Sequence, residues 1–394
     1  MQTSLADFIR DTPEGREADA ILRKCVHCGF CTATCPTYQV LGDDLDSPRG
    51  RIYLMKRALE GGPVSEKTRL HLDRCLTCRA CETTCPSGVR YGALVDIGRA
   101  VVEARTRRPP WDRLKRFALS FGIPRPAVFA PALRIARALG LQKPRRPAGA
   151  WPEARHARRM IALRGCVQPA LAPSINAAAA RVLDHIGISL LEVPGAGCCG
   201  GVRFHLNYQD AGRDDMRALI DAWWPLVAGT EVEAIVMTAS GCGVTVKDFA
   251  HLLASDRDYR GRAERVSGLT LDLAEAIRPE DLPAGAKRGR VAFHSPCTLQ
   301  HGQQVRGQVE ALLARVGYEL VPVRDSHLCC GSAGTYSLLQ PAIANELRQR
   351  KLAALQEGAP QAIATANIGC LAHLQQPTAT PVRHWIELVD EALA

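Results

Sequence analysis

Long apolar runs are missing from this 394-residue chain. No stretch approaches the roughly 20 consecutive apolar residues that a membrane-spanning helix needs, so any membrane contact is expected to be peripheral or through a partner. The N-terminal segment is polar and charged, and it predicts no export signal. Because disulfide frameworks belong mainly to exported proteins, the sixteen cysteines point instead to a cytoplasmic redox protein.

A glycine-rich turn between a strand and a helix, the fingerprint of dinucleotide-binding sites, is also missing. The chain is therefore not expected to bind a flavin itself. Its length and its 46% hydrophobic residues are sufficient for two or three globular domains with filled cores.

Cysteine is abundant, and eight of the sixteen residues form two runs with the same spacing. The runs are Cys25-x2-Cys28-x2-Cys31-x3-Cys35-Pro36 and Cys75-x2-Cys78-x2-Cys81-x3-Cys85-Pro86. Such runs bind [4Fe-4S] clusters, because three closely spaced thiolates converge on one small volume. The fourth cysteine, which precedes a proline, is directed away from the other three.

This spacing predicts two clusters with crossed ligation, as in two-cluster ferredoxins. One cluster is expected to be bound by Cys25, Cys28, Cys31 and Cys85. Its neighbour is expected to be bound by Cys75, Cys78, Cys81 and Cys35. Crossed ligation brings the clusters close enough for one-electron transfer. A zinc or disulfide framework is disfavoured, since zinc sites use paired CxxC units.

The segment between the two runs is predicted to be helical. Ser47 is suited to cap a helix that has Pro48 at its first position, and a second helix is expected to begin at Ser65. These helices indicate that residues 1–104 form an all-helical ferredoxin module rather than the compact, β-containing bacterial type. Two arginines of the first helix either offset the negative charge of a cluster or are simply solvated, namely Arg49 and Arg51.

Residues 105–158 are predicted to form a basic, proline-rich linker with short helices at 111–121 and 132–141. Over 105–159 there are 15 Lys or Arg against two acidic residues, a net charge of +13, and eight of the 25 prolines. This segment is either a solvated connector or a docking site for an acidic partner or for anionic lipid at the inner face of the cell membrane. No recognition motif accompanies the charge, so nucleic acid is not expected as a partner.

The remaining eight cysteines form two copies of a second pattern, about 130 residues apart. Each copy has one cysteine, then a Cys-Cys-Gly triplet, then one more cysteine. The first copy, in a domain predicted at 159–280, contains Cys166, Cys198, Cys199 and Cys242. The second copy, in a domain predicted at 288–394, contains Cys297, Cys329, Cys330 and Cys370.

A predicted strand precedes each cysteine position of this pattern. The strands are expected at 160–163, 188–193, 234–238, 291–293, 318–323 and 362–365. Helices at 173–186 and 337–355 lie between them, which indicates βαβ units and two α/β domains with parallel sheets. Because ligands gather beyond the carboxyl ends of parallel strands, the four cysteines of a copy are expected at one rim.

Such a rim could hold a further iron-sulfur cluster or another metal in one or both copies. Zinc, a redox-active thiol pair, and buried cysteines that only fill space stay open as alternatives. Four histidines are expected near the second rim, where they either tune a site or belong to ordinary polar loops: His294, His301, His327 and His373.

The paired ferredoxin runs, the segment 25–53 and the two Cys-Cys-Gly repeats together resemble the iron-sulfur subunits of bacterial glycolate oxidase. The resemblance covers nearly the whole chain. It extends to subunits of anaerobic glycerol-3-phosphate dehydrogenase, lactate-utilisation complexes and heterodisulfide reductase. In the last of these a terminal CxxC is associated with non-cubane clusters, but here Thr245 and His373 replace that final cysteine. Each copy therefore offers four thiolates rather than five.

The resemblance implies an electron-transfer subunit of a glycolate oxidase complex. A flavin-containing partner with FAD would oxidise glycolate to glyoxylate, and this chain would pass the electrons to a membrane acceptor such as a quinone. Two other functions stay open. One is a catalytic disulfide or quinone reductase subunit of another 2-hydroxy acid or glycerol-3-phosphate dehydrogenase complex, and the other is a structural zinc protein.

Overall fold

The structure, a computed structural model, describes residues 1–140 and 146–394. Met1–Phe117 and His327–Lys351 form one compact unit, and Ala118–Ser326 and Leu352–Ala394 form the second. The helix predicted at 132–141 is part of a longer helix, Pro126–Ala138, and its last predicted residue, Leu141, lies outside the described residues.

The described residues of the first unit form helices and no strands. The α-helices are Asp7–Arg10, Pro13–Lys24, Phe30–Ala33, Pro36–Leu41, Pro48–Leu59, Glu66–Asp73, Ala80–Thr84, Tyr91–Arg105 and Tyr336–Leu339, with a 3₁₀ turn at Asp44–Asp46. Pro110–Gly122 and Pro341–Gln356 each contribute residues to both units. The all-helical prediction for the N-terminal module is thus confirmed.

The helix starts follow the capping chemistry that the sequence predicts. Ser47 Oγ accepts a hydrogen bond from the backbone N–H of Gly50 at 3.1 Å, with Pro48 at the first helical position. Ser65 and Thr68 form a reciprocal capping box at the start of Glu66–Asp73. These caps fix where each helix enters the module and so where the cysteine loops begin.

The core of the first unit lies between the helices Pro48–Leu59 and Tyr91–Arg105, where Met55 and Leu94 are fully buried. The two helices approach so closely that a Cβ atom on Gly98 would lie 2.4 Å from Met55 Sδ. A larger residue at position 98 would have to displace the Met55 side chain, so glycine permits this close approach of the two helices.

The second unit contains two four-stranded, wholly parallel sheets of the same topology. The first sheet comprises β1 (Arg158–Ala162), β2 (Ile188–Glu192), β3 (Ala234–Met237) and β4 (Thr270–Asp272) in the order β2-β1-β3-β4. The second comprises β5 (Arg290–His294), β6 (Glu319–Val321), β7 (Ala362–Thr365) and β8 (Val382–His384) in the order β6-β5-β7-β8. Met160 of β1 stands opposite both Leu190 and Ala234, and Ala292 of β5 opposite both Val321 and Ile363.

Helices connect the parallel strands of the second unit, as the predicted βαβ units require. The α-helices of this unit are Pro126–Ala138, which precedes the first strand, and Gln168–Leu171, Ser174–His185, Gly201–His205, Gln209–Val227, Ser240–Lys247, Phe249–Leu252, Arg260–Leu269, Leu273–Ala276, Gln308–Arg315, Ile368–Gln375 and Trp385–Leu393. A 3₁₀ turn at Pro279–Asp281 and a π turn at Thr298–Gly302 complete the set.

Three details differ from the predicted elements. The short fourth strands β4 and β8 were not predicted. The helix predicted at 337–355 is two helices, Tyr336–Leu339 and Pro341–Gln356, because Pro341 has no N–H to continue the first and instead opens the second.

The two sheets of the second unit share one hydrophobic core, which includes Ile175, Leu183, Val291 and Trp385. A buried hydrogen bond also joins the repeats, because His384 Nε2 donates to the backbone carbonyl of Thr238 at 2.9 Å. None of the helices in the two described ranges is long and apolar enough to cross a lipid bilayer.

Candidate metal centres

The loops that open the two ferredoxin runs have the same unusual backbone. In the first, His27 and Gly29 have positive φ values of 57° and 86°. In the second, Thr77 and Arg79 occupy the equivalent positions with φ values of 52° and 59°. Left-handed residues on both sides of the second cysteine turn the chain sharply, so that successive sulfurs face a common point. Residues with side chains are strained in this region, and only a required loop shape justifies them.

The sulfurs of the first predicted site line one pocket of the first unit. Cys25, Cys28, Cys31 and Cys85 border this pocket, together with Cys81 of the neighbouring site. Burial raises the pKa of Cys31 to about 11, and the nearby Cys25 and Cys35 thiolates add to the rise. The structure thus brings the fourth cysteine of the second run to the three cysteines of the first.

The second predicted site shows the reciprocal arrangement. Burial raises the pKa of Cys81 well above its ordinary value, and the thiolates of Cys78, Cys75 and Cys35 raise it further. Cys35 belongs to the other run, so the two sets of four are crossed in space. Ligation by these two sets of four remains a prediction, which the arrangement of the sulfurs supports.

Hydrogen-bond donors surround the sulfurs of the second site. The backbone N–H of Thr77 donates to Cys75 Sγ at 3.4 Å, and the buried hydroxyl of Tyr91 donates to the same sulfur at 3.5 Å. Thr37 Oγ1 also lies 3.3 Å from Cys35 Sγ, but its hydroxyl donates to the Asp46 carbonyl at 3.0 Å, so the donors to sulfur are the Thr77 N–H and the Tyr91 hydroxyl. Donors of this kind stabilise negative charge on cluster sulfurs and raise the reduction potential of a cluster. The sequence signals did not identify Tyr91 or Thr37, because neither belongs to a cysteine run.

The donor set fits an iron-sulfur cluster at each of the two sites. Four soft sulfur atoms converge, and their burial and mutual repulsion raise the pKa of the thiols that show a shift. Such thiols ionise together only when a cationic centre compensates their charge, which iron provides. Cys75 Sγ accepts hydrogen bonds from a backbone N–H and from a hydroxyl, as expected for a thiolate ligand.

The segment His327–Lys351 belongs to the first unit and contains Cys329 and Cys330. Its buried Tyr336 donates a hydrogen bond from its hydroxyl to the backbone carbonyl of Arg74 at 2.9 Å, directly before Cys75. Burial raises the pKa of Tyr336, and both Cys75 and Cys329 lie near enough to raise it further. The Cys-Cys-Gly triplet of the second repeat is therefore a neighbour of the second ferredoxin site.

The first Cys-Cys-Gly repeat gathers its four cysteines at one place. Cys166 and Cys198 follow β1 and β2, while Cys242 lies in the helix after β3. Thiol-thiol hydrogen bonds join Cys166 to Cys198, Cys198 to Cys199, and Cys199 to Cys242. The bond with Cys198 and burial raise the pKa of Cys166 well above its ordinary value. The predicted convergence at the carboxyl ends of parallel strands is present in this copy.

The glycine of each triplet has a steric role. Gly200 and Gly331 have φ values of 81° and 88°, and each leaves its backbone N–H donating to the first sulfur of its triplet at 3.4 Å. A Cβ atom on Gly200 would lie 2.4 Å from the carbonyl oxygen of Gly212, and one on Gly331 would lie 2.6 Å from that of Ala344. The triplet thus needs glycine both for conformation and for space.

The cysteines of the second repeat are divided between the two compact units. Cys297 follows β5 and Cys370 lies in the helix after β7, both in the second unit, whereas Cys329 and Cys330 belong to the first. Cys370 Sγ accepts a hydrogen bond from Asn367 Nδ2 at 3.5 Å. All four side chains are buried.

Three of the predicted histidines lie in the second unit, and all three are buried. His294 ends β5 and shares a hydrogen bond with Thr365 Oγ1 at 2.9 Å. His301 lies in the π turn and His373 in the helix that also contains Cys370. His327 is the first residue of the segment assigned to the first unit.

Comparison with known protein families gives two matches. Residues 21–89 match the "4Fe-4S dicluster domain", and residues 161–247 and 291–375 each match the "Cysteine-rich domain". Together these cover more than half of the chain.

Individual relatives agree with these matches. The chain is 53% identical over its full length to the glycolate oxidase iron-sulfur subunit of Escherichia coli, covering 99% of that protein. It is 27% identical to the probable glycolate oxidase iron-sulfur subunit of Bacillus subtilis, with 90% of this chain and 88% of that one covered. A crystal structure of a hypothetical protein from Helicobacter pylori has a similar fold, with a TM-score of 0.51 at 10% identity over 97% of this chain and 73% of that one.

Proposed function

Because this chain belongs to the family of glycolate oxidase iron-sulfur subunits, we propose that it relays electrons from glycolate to a membrane acceptor within such a complex. The observation that supports this function best is the pair of adjacent, crossed four-sulfur sites in the first unit. Two such sites serve one-electron transfer over a short distance, whereas one isolated site would serve structure equally well.

The ligands of the first cluster are Cys25, Cys28, Cys31 and Cys85, and those of the second are Cys75, Cys78, Cys81 and Cys35. When bound, clusters of this type accept and release one electron each. The protein's part is to hold the thiolates in place, to exclude water and to set the potential through hydrogen bonds such as that from Tyr91.

Glycolate oxidation itself is assigned to a flavin-containing partner with FAD. Conversion of glycolate to glyoxylate releases two electrons and two protons, which suits a flavin, and this sequence lacks a dinucleotide-binding fingerprint. The flavin would then release its electrons singly to this chain, which would deliver them to a quinone.

The Cys-Cys-Gly sites are proposed to hold additional iron-sulfur clusters rather than to act as bare dithiols. A reactive dithiol needs a lowered pKa and an electropositive setting. In the first repeat the pKa of Cys166 is raised. The pKa of Cys199 is also raised: the hydrogen bond with Cys198 lowers it, but the hydrogen bond with Cys242 and complete burial raise it by more. These thiols become good ligands only when a metal compensates their charge. The same argument disfavours the disulfide-reductase alternative.

A peripheral contact with the membrane completes the proposal. The helix Pro110–Gly122 exposes Trp111 to 75% and Leu114 to 54%, one turn apart on the same face, with exposed Arg113 and Lys115 beside them. Apolar and aromatic groups flanked by cations are typical of helices that lie in the surface of an anionic bilayer. A basic segment bound there would lie beside a quinone acceptor in the bilayer.

Anaerobic purification of the tagged chain, alone and with its partners, tests the function. We expect about eight iron atoms from the two four-iron sites, more if the Cys-Cys-Gly sites are loaded, and no glycolate turnover by the isolated chain. In the complex, glycolate should generate the EPR signals of reduced clusters, and Cys78→Ser should remove one of them. Zinc in place of iron, or glycolate oxidation by the chain alone, would contradict the proposal.

A further inference from the structure

Arg51 is almost fully buried, at 1% exposure of its side chain, beside the second ferredoxin site. Its guanidinium donates from Nε to the His71 carbonyl at 2.7 Å and from Nη1 to Thr37 Oγ1 at 3.0 Å. The same Nη1 lies 4.0 Å from Cys35 Sγ, at the outer limit of a sulfur hydrogen bond. A cation is therefore fixed against one ligand of the second site.

The buried carboxylate of Asp46 balances part of this charge, but from another side. Arg51 Nη2 donates to Asp46 Oδ1 at 3.2 Å, whereas Nη1 is the nitrogen nearest to Cys35. Asp46 is also shared, since Arg74 Nη1 donates to its Oδ2 at 2.9 Å. In this cluster two arginines share one carboxylate, which leaves an excess of one positive charge. The carboxylate of Glu82, whose charge also reaches Cys81, is paired with Arg79 at 3.1 Å.

Among the described residues, the cations near the first site are less deeply buried than Arg51. The N-terminal ammonium, which is partly buried, donates to the Cys25 carbonyl at 2.8 Å. Arg49, two positions earlier on the same helix, has 39% of its side chain exposed and is paired through Nε with Asp44 at 2.9 Å. Asp44 is itself 51% exposed, so solvent and its own partner screen the charge of Arg49. A buried charge acts at an effective dielectric constant of about 20 rather than 80, hence about four times more strongly.

We propose that Arg51 makes the second site the higher-potential member of the pair, so that electrons pass from the first site to the second. An added electron increases the negative charge at the sulfurs, and a fixed nearby cation stabilises that reduced state. One electron leaves the first site for each one that arrives at the second, and a reduced flavin partner supplies it. Tyr336 links Arg74 to the segment that contains Cys329, so this segment adjoins the second site.

This inference rests on the proposed ligation and deepens it, because it gives the direction of transfer. An EPR-monitored redox titration of the full-length holoprotein tests it, with Cys28→Ser used to assign the signal of the first site. In the wild type the second-site midpoint should be the higher of the two. Arg51→Gln should lower the second-site midpoint potential by at least about 59 mV, which is a tenfold change in the equilibrium constant of a one-electron reduction. Arg51→Lys should largely retain the wild-type midpoint.

Asp46→Asn provides a variant of opposite sign. Removal of the carboxylate leaves the cations uncompensated, so the second-site midpoint should rise, whereas structural damage would not reverse the direction. Arg57→Gln, an exposed arginine of the same helix, is the matched control and should change neither midpoint. A lower second-site midpoint in the wild type, or an unchanged one in Arg51→Gln, would overturn the inference. Iron content and glycolate-driven reduction of the wild-type complex report separately on the proposed function.

Discussion

The hydroxyl of Tyr91 donates a hydrogen bond to the sulfur of Cys75 at 3.5 Å, and both side chains are buried. Tyr91 begins the helix Tyr91–Arg105, which follows the second cysteine run. The module thus uses a residue outside both runs to act on one predicted ligand.

Tyr91→Phe should lower the midpoint potential of the second site. The reduced state places more negative charge on the sulfur, so the Tyr91 hydroxyl stabilises that state in the wild type. The variant loses this stabilisation, which amounts to about 0.5–1.5 kcal/mol. Redox titration followed by EPR measures the shift, and Tyr53→Phe, at an exposed position, serves as the control. Equal shifts at both sites would contradict a direct effect through Cys75.

Gly200→Ala should destabilise the second unit more than Gly195→Ala does. Both glycines have nearly the same φ, 81° and 83°, so the strain of the left-handed region, about 1–2 kcal/mol, is common to both variants. Only at Gly200 would the new methyl group overlap a neighbour, the Gly212 carbonyl oxygen at 2.4 Å, whereas Gly195 has open space. Urea unfolding curves measure the difference, which we expect to exceed about 1 kcal/mol. Equal losses would show that close packing at the triplet is unimportant.

Acid should destabilise the second unit through His384. Complete burial lowers the pKa of His384 from 6.5 to about 3, so the folded protein keeps it neutral where the unfolded chain binds a proton. The unfolded state therefore gains protons between pH 6.5 and 3, and the unfolding free energy falls by up to about 1.4 kcal/mol for each pH unit lost. Above pH 6.5 the effect vanishes.

Urea midpoints recorded against pH check this linkage. In His384→Gln the slope below pH 6.5 should be shallower than in the wild type, whatever the absolute stability. His185→Gln, at an exposed position, should keep the wild-type slope. The same slope in all three proteins would show that His384 does not titrate as described.

Replacement of Trp111 and Leu114 by Ser should weaken binding to anionic vesicles. Burial of each of these exposed side chains in the lipid surface contributes about 1.5–3 kcal/mol to binding. The double substitution should therefore reduce the partition coefficient by at least tenfold. Co-sedimentation with phosphatidylglycerol vesicles measures this, and high salt should weaken the wild type as well. The exposed Leu70, replaced by Ser, is the control. If the wild type bound neutral vesicles as tightly as anionic ones, the role of the basic residues would be contradicted.

Local chemistry made much of this fold predictable from the sequence. The caps at Ser47 and Ser65 are encoded within a few residues. The strands β1, β3 and β7 contain short continuous apolar runs, as expected for parallel strands that are buried on both faces. The strands β4 and β8 have three residues each and include polar Asp272 and His384, so neither has a hydrophobic pattern of its own. Only pairing with β3 and β7 defines them.

The site shows the same division between local and tertiary information. For the two ferredoxin runs, cysteine spacing predicted two crossed sets of four sulfurs. The arrangement of these sulfurs supports that prediction, and cluster ligation stays a prediction. The spacing could not separate Arg49 from Arg51, because burial depends on which face of the helix Pro48–Leu59 the remainder of the module covers. It also could not identify Tyr336, which lies 262 positions from Arg74 along the chain.

The hydrophobic core that the two sheets share couples the two repeats. Although the two halves are copies of one pattern, removal of either half would expose buried residues of the other, such as Trp385 or Ile175, to solvent. The two repeats should therefore unfold in one cooperative transition, so that a destabilising substitution in either repeat also destabilises the other.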